Sequence, residues 1–191
     1  VSTKSTPAVV AAGAATTAQA QAVMAGLTVS GNTPAQLAAL VTGGVNPVNV
    51  PTFIASLNSN NVSDADAAAV AASGAASFTQ VASVKAGMGA GGNAAQLAAL
   101  VSADVSDINA PAVVEAGAAT PAQAKTVVAG IGSGGNAAQL AALVTGGVSA
   151  ANAPTFIASL NTHKVADSNA KAVAVSGAVS SAQVGSVKAG M

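Results

Sequence analysis

The sequence predicts an all-α fold, a tandem repeat of short Ala-rich helices forming a helical solenoid or repeat bundle. Three observations predict it: a long internal duplication, apolar residues at helical spacing, and small polar or Gly punctuation between the apolar runs. The duplication is the strongest. Residues Leu37 to Met88 reappear from Leu140 to Met191 at an offset of 103, with 36 of the 52 aligned positions identical. The run PAVVAAGAATTAQAQAVMAGL from Pro7 recurs as PAVVEAGAATPAQAKTVVAGI from Pro111. Two repeat units follow, 1–88 and 89–191, the first truncated at its N-terminus relative to the second and the two stacked as one continuous structure. A shorter period lies inside each unit. GGNAAQLAALV occurs at Gly91 and again at Gly134, and a related GNTPAQLAALV starts at Gly31. Each unit therefore reads as a short module of ~43 residues and a long one of ~60, the long one with an extra helical pair.

The segments can be taken in chain order. Pro7 opens the first apolar run. Asn32-Thr33-Pro34 precedes AQLAALV, with Gly43-Gly44 behind it, and Leu37, Leu40 and Val41 fall on one helical face. Val50-Pro51 precedes TFIASL, where Phe53, Ile54 and Leu57 share a face and Asn58 closes the run. Asp64 opens ADAAAVAASGA. Then Phe78, Val81, Val84 and Met88 carry the next helical spacing up to the Gly-rich stretch at Gly89. The same grammar repeats from Gly91 to Met191. Alanine is the best helix former and a poor strand former, and no β-branched alternation is present. About a dozen helices of roughly 8–12 residues are expected. None is long enough to be stable alone, so neighbours must supply the stability.

Composition narrows the function classes. Hydrophobic residues make up 51% of the 191, yet aromatic residues only 2% and charged residues 6%. Arg, Trp, Tyr and Cys are absent, and six Lys balance six acidic residues. A neutral chain creates no field to steer a charged partner. Nucleic acid is disfavoured, because phosphate neutralisation needs clustered cations and single strands need aromatic platforms. Without Cys there is no disulfide framework or thiolate metal site. No uninterrupted apolar stretch reaches the ~18 residues of a spanning helix, so no transmembrane segment is expected. The chain begins at Val1, with no basic n-region and apolar run, as a processed secreted product or an excised fragment would. Val1 aligns with Val105, so the counterpart of residues 92–104 lies outside the first copy. The native product is accordingly expected to hold more copies than this chain.

Candidate chemistry is sparse. G-x-G-x-x-G appears as Gly87, Gly89, Gly92 and as Gly130, Gly132, Gly135. In a dinucleotide fold this loop follows a strand and opens a helix that takes the pyrophosphate. Here FTQVASVKAGM has helical spacing, the equivalent loop near Gly26 lacks the motif, and an acidic residue some twenty positions on (Asp107) serves one copy only. The expectation is a helix C-terminal Gly followed by an Asn cap, Asn93 or Asn136. His163 is the only His; Asn60 stands at its place in the first unit, and one imidazole beside Lys164 cannot build a metal site, so it reads as a solvated loop residue. Asp64 and Asp167 occupy equivalent helix starts and are expected to accept backbone N–H groups there, with Asp66 matched by Asn169. Asp104 and Asp107 fall in a turn before Pro111, and Glu115 faces Ala11 in the other copy. Lys85 and Lys188 are expected to complement the dipole of their own last helical turn. No catalytic, cofactor-binding or metal residues are assigned.

The leading expectation is a non-enzymatic, secreted structural or assembly protein, matrix- or silk-like, associating with itself or with neighbouring repeats. In composition alone it resembles helical repeat domains of secreted structural proteins. Two alternatives are an ice- or surface-binding protein and a carrier of apolar small molecules in an inter-helix cavity.

Overall fold

A computed structural model describes residues 4–191, and the described residues are helical throughout, with no strand. Among the described residues thirteen α-helices follow one another. In the first part of the chain these are α1 (Thr6–Ala11), α2 (Thr17–Leu27), α3 (Pro34–Thr42), α4 (Val50–Ser59), α5 (Asp64–Ala72) and α6 (Phe78–Gly89). Next come α7 (Ala94–Ser102), α8 (Ala110–Glu115), α9 (Pro121–Gly132) and α10 (Ala137–Thr145). The last three are α11 (Ala153–Thr162), α12 (Asp167–Val175) and α13 (Ser181–Ala189). A single 3-10 turn, Pro47–Asn49, precedes α4.

The helix starts follow two rules. Seven helices (α2, α3, α6, α7, α9, α10 and α13) begin with a capping box in which a Thr, Ser or Asn and a Gln three residues on bond each other's backbone N–H. Two of the four orphan donors of each helix are satisfied this way. The Pro-opened helices α4, α8 and α11 lack a side-chain cap; the ring removes one orphan N–H and presets φ. Most helices end on a residue at positive φ. At Asn61, Asp104 and Lys164 that residue is not Gly, a conformation that costs non-Gly residues roughly 1 kcal/mol or more.

Packing is local along the chain. Helices in extended contact are first or second neighbours: α2 on α3 and α4, α3 on α5, α6 on α7 and α8, α9 on α10 and α11, α10 on α12, and α11 on α13. One continuous apolar interior runs through the molecule. Matching positions occupy it in each copy: Leu40, Leu100 and Leu143, then Phe53 and Phe156, Ile54 and Ile157, Leu57 and Leu160, all fully buried. Each such side chain contributes about 1.5–3 kcal/mol on burial. Helices α5 and α6 pack directly on α7, so the expected boundary at 88/89 interrupts neither the packing nor α6, whose last residue is Gly89.

Three expectations change. The long module holds one more helix than the short one, not a pair: α9 to α12 against α6 to α8. About 17 extra residues suffice for one nine- or ten-residue helix and its turn, not for two. Asn58 does not close its helix, which runs on to Ser59. Instead, its side chain reaches Gly31 O and accepts from Gln36. Finally, α1 and α8 are six residues long, shorter than expected, because Gly13 and Gly117 turn the chain soon after Pro7 and Pro111.

Closest approach occurs where α3 meets α5 and where α10 meets α12. A Cβ at Gly43 would lie 2.4 Å from Ala71 Cβ and 2.6 Å from the Ala71 carbonyl carbon. At Gly146 the same atoms of Ala174 would stand 2.5 and 2.7 Å away. Backbone, not a mobile side-chain tip, is the obstacle. Gly89 and Gly132 face open space. Gly43→Ala and Gly146→Ala are therefore expected to lose about 1–3 kcal/mol each through overpacking. Gly89→Ala and Gly132→Ala should instead gain up to about 1 kcal/mol from reduced backbone entropy. Thermal or urea unfolding of the four variants reads both signs; equal losses at all four would refute the packing account.

Candidate functional site

The glycine loops are helix ends. Gly92 N–H donates to Gly87 O at 2.9 Å and Gly91 N–H to Met88 O at 2.9 Å; Gly135 and Gly134 repeat this on Gly130 and Ile131 at 3.0 Å. These bonds satisfy the last carbonyls of α6 and α9. Asn93 and Asn136 then cap α7 and α10, each with its Gln. The first glycine of each motif serves close helix packing. A Cβ on Gly87 would lie 2.5 Å from Leu100 Cδ1, and one on Gly130 would lie 2.6 Å from Leu143 Cδ1. Gly26, in the last turn of α2 and without the motif, sits under Leu37 and Leu40 in the same manner. The element before each loop is a helix, so the strand–loop–helix setting of a dinucleotide site is missing at both.

His163 is more engaged than a solvated loop residue. It ends α11 half-buried, its Nε2 lies 2.9 Å from Ser181 Oγ, and its ring covers Gly185 of α13. Lys188 Nζ donates to His163 O, and Lys85 Nζ donates to Asn60 O in the matching place. Both lysines therefore bond the C-terminus of the helix two elements earlier, α11 and α4; Lys188 also lies in the last turn of its own helix, as expected, whereas Lys85 lies outside the last turn of α6. The cation still meets the negative end of a helix dipole, but across an interface. Sequence spacing cannot reveal this, because the acceptor lies 25 residues away.

The carboxylates also act between helices. Asp64 Oδ1 accepts from Thr33 Oγ1 at 2.7 Å, and Asp167 Oδ1 accepts from Asn136 Nδ2 at 2.9 Å. The expected role, accepting N–H groups at their own helix start, falls elsewhere: Ser63 caps α5, and Asp66 accepts from the Ser63 hydroxyl at 2.6 Å. In α12 the N-cap is Ala166, without a side-chain bond. Asp64 and Asp167 are N1 residues, and their carboxylates turn to the N-cap of the helix packed alongside. Asp104 takes positive φ in the turn after α7, with Asp107 in the turn before α8. Glu115 is exposed at the end of α8.

Residues not singled out in the sequence carry the main polar structure. Gln36 and Gln139 are buried, each closing its own capping box and donating Nε2 to Asn58 Oδ1 or Asn161 Oδ1 at 2.7 Å. Gln96 donates instead to Val114 O at 2.9 Å. The recurrent [STN]-x-x-Q spacing was a legible signal for these boxes; the second bond, across to another helix, was not. Ser83 Oγ is buried without a partner, whereas the matching Thr126 hydroxyl reaches Ala122 O and Val148 O at 3.0 and 3.2 Å.

One concavity recurs. A groove of about 380 Å³ opens between α8, α9 and α10 over Ala112, Ala116, Ile131 and Leu140, with Ile108 and Glu115 on its edge. The matching groove between α1, α2 and α3, about 290 Å³, lies over Ala8, Ala12, Leu27 and Leu37. Neither gathers titratable side chains. Among the described residues no cluster of three His, Cys, Asp or Glu is placed to hold a metal, and no helix is long and apolar enough to cross a membrane. Protein-family models, curated proteins and solved structures yield no match to this chain.

Two substitutions test the polar account. Gln139→Ala opens a capping box and strands Asn161, so a loss of about 1–3 kcal/mol is expected. Ser83→Ala removes a hydroxyl desolvated without compensation and should be neutral or stabilising by up to about 1 kcal/mol. Alanine already fills the corresponding site of α2, as buried Ala22. A large loss in Ser83→Ala would show that the hydroxyl has a partner.

Proposed function

We propose that this chain is a non-enzymatic structural protein whose helices stack as a solenoid, secreted and built to associate with further repeats of its own kind. The carrying observation is that the cross-helix bonds recur in register with the sequence repeat. Thr33–Asp64 answers to Asn136–Asp167, Gln36–Asn58 to Gln139–Asn161, and Lys85–Asn60 to Lys188–His163. Packing confined to first and second neighbours supports the same reading, because such a structure extends by adding modules without rebuilding a central core. Asp64, Asp167, Lys85 and Lys188 hold helix to helix, and the described charged groups form no assembled pair for acid–base or nucleophilic work. Neutral charge and a surface of small residues suit close lateral contact over recruitment of charged partners.

The stacking part is tested by removing a module. Deleting residues 120–179 joins Ala119 to Ser180 and brings α13, a capping-box helix of the same type, into the place of α9. A helical chain with a cooperative melt is expected, since repeat stability is nearly a sum of neighbour terms. A chain without helical signal would overturn the solenoid. The assembly part is tested by sedimentation and electron microscopy across concentration: growth into linear particles supports it, and a monomer at millimolar concentration overturns it.

A second reading, a carrier of apolar small molecules, is favoured by the duplicated groove beside α8 and α1. Mass spectrometry of organic extracts from the purified chain distinguishes the two. A stoichiometric apolar ligand supports the carrier, and its absence leaves the structural role.

A further inference from the structure

The grooves beside α8 and α1 share a floor but not a rim. Ala112, Ala116, Ile131 and Leu140 line the first where Ala8, Ala12, Leu27 and Leu37 line the second. Along α8, however, Ile108, Asn109 and Glu115 stand where Lys4, Ser5 and Ala11 stand along α1. These three changes give the α8 groove a chemistry of its own. Ile108, 85% exposed, is a large apolar side chain left uncovered beside an apolar floor. Glu115 is the last residue of α8, where the negative end of the helix dipole opposes a carboxylate. Asn109 is the N-cap of α8, yet its side chain makes no capping bond. Among the described residues neither Glu115 nor Asn109 has a side-chain hydrogen-bond or ion-pair partner. The groove lies mid-chain with helices packed before and after it, so its opening belongs to the packing of α8, α9 and α10 itself.

We propose that this groove is a binding site for a primary amine with a linear apolar body. The protonated head pairs with Glu115 and relieves the unfavourable place of that carboxylate. The body lies over Ala112, Ala116, Ile131 and Leu140, with Ile108 along its flank. An unpartnered carboxylate beside an apolar floor attracts a cation and rejects an anion, which is how the ligand class is selected. Size agrees: about 380 Å³ falls within the range of small-molecule sites. The helical rise sets Asn109 and Glu115 roughly 9 Å apart along α8, the length of an extended octyl chain. The α1 groove keeps the floor but has Ala11 in place of Glu115, so it carries no preference for a cation. The inference rests on the carrier reading above and deepens it by naming the ligand class; it is independent of the stacking reading.

The test titrates the full 191-residue chain with octylamine, octanol and octanoate at neutral pH and low salt, read by amide chemical shifts. Octylamine is expected to bind saturably and to shift Ala112, Ala116 and Ile131. Its affinity should exceed that of octanol by about two- to fivefold, the range of a solvent-exposed ion pair, and octanoate should bind more weakly than either. Added salt should shrink the advantage of the amine. Glu115→Gln, at an exposed position, should leave the chain folded and bring octylamine down to the affinity of octanol. Ala112→Leu, which fills the floor, should abolish binding of both. Octylamine binding no tighter than octanol overturns the amine site, as does an advantage that survives Glu115→Gln. In either case saturable octanol binding over Ala112 and Ile131 leaves the carrier reading standing, whereas failure of all three ligands to bind ends both.

Discussion

Everything in this molecule depends on the mutual support of helices too short to persist alone. Nine or ten residues form barely two and a half turns, and the cost of nucleating them is recovered only when an apolar face is covered. The side chains available for covering are small, so the helices must come close. Glycine at the ends of α3 and α10 allows this: Gly43 and Gly146 press against Ala71 and Ala174 with no room for a methyl group. Close approach also multiplies weak dispersion contacts, which partly offsets the scarcity of large apolar groups. Of the few large ones, Phe53, Phe156, Ile54, Ile157, Leu57 and Leu160 lie in the interior, whereas Phe78 and Ile108 are exposed.

A stack of many short helices has many helix ends, and each end exposes backbone groups that must find partners. Much of the polar composition serves this need. Gln, Asn, Ser and Thr close the starts, and Lys85 and Lys188 close the ends of helices that are not their own. Charge is scarce, and at Asp64, Asp167, Lys85 and Lys188 it joins two helices. The bonds from Gln36 and Gln139 do both tasks at once, satisfying a local terminus and fixing the neighbour's register.

The repeat is imperfect in ways that matter physically. Ala22, Ser83 and Thr126 occupy one equivalent position as a methyl group, an orphan hydroxyl and a doubly bonded hydroxyl. Asn60 becomes His163, and the small amide that touched Phe78 O gives way to a ring lying over Gly185.

Periodicity, punctuation and the duplication were readable before any coordinates. They determined the helical class, the places of most helices, most residues of the apolar interior (Phe78 is instead exposed) and the turn character of the glycine loops, since all of these follow from local backbone preference and spacing along one chain. The same letters could not disclose which helix a side chain serves. Asp64 and Lys85 looked like caps for their own helices and instead bind α3 and α4, and His163 looked free although α13 holds it. Those are properties of distance in space, fixed only when helices 20 to 30 residues apart come to lie side by side.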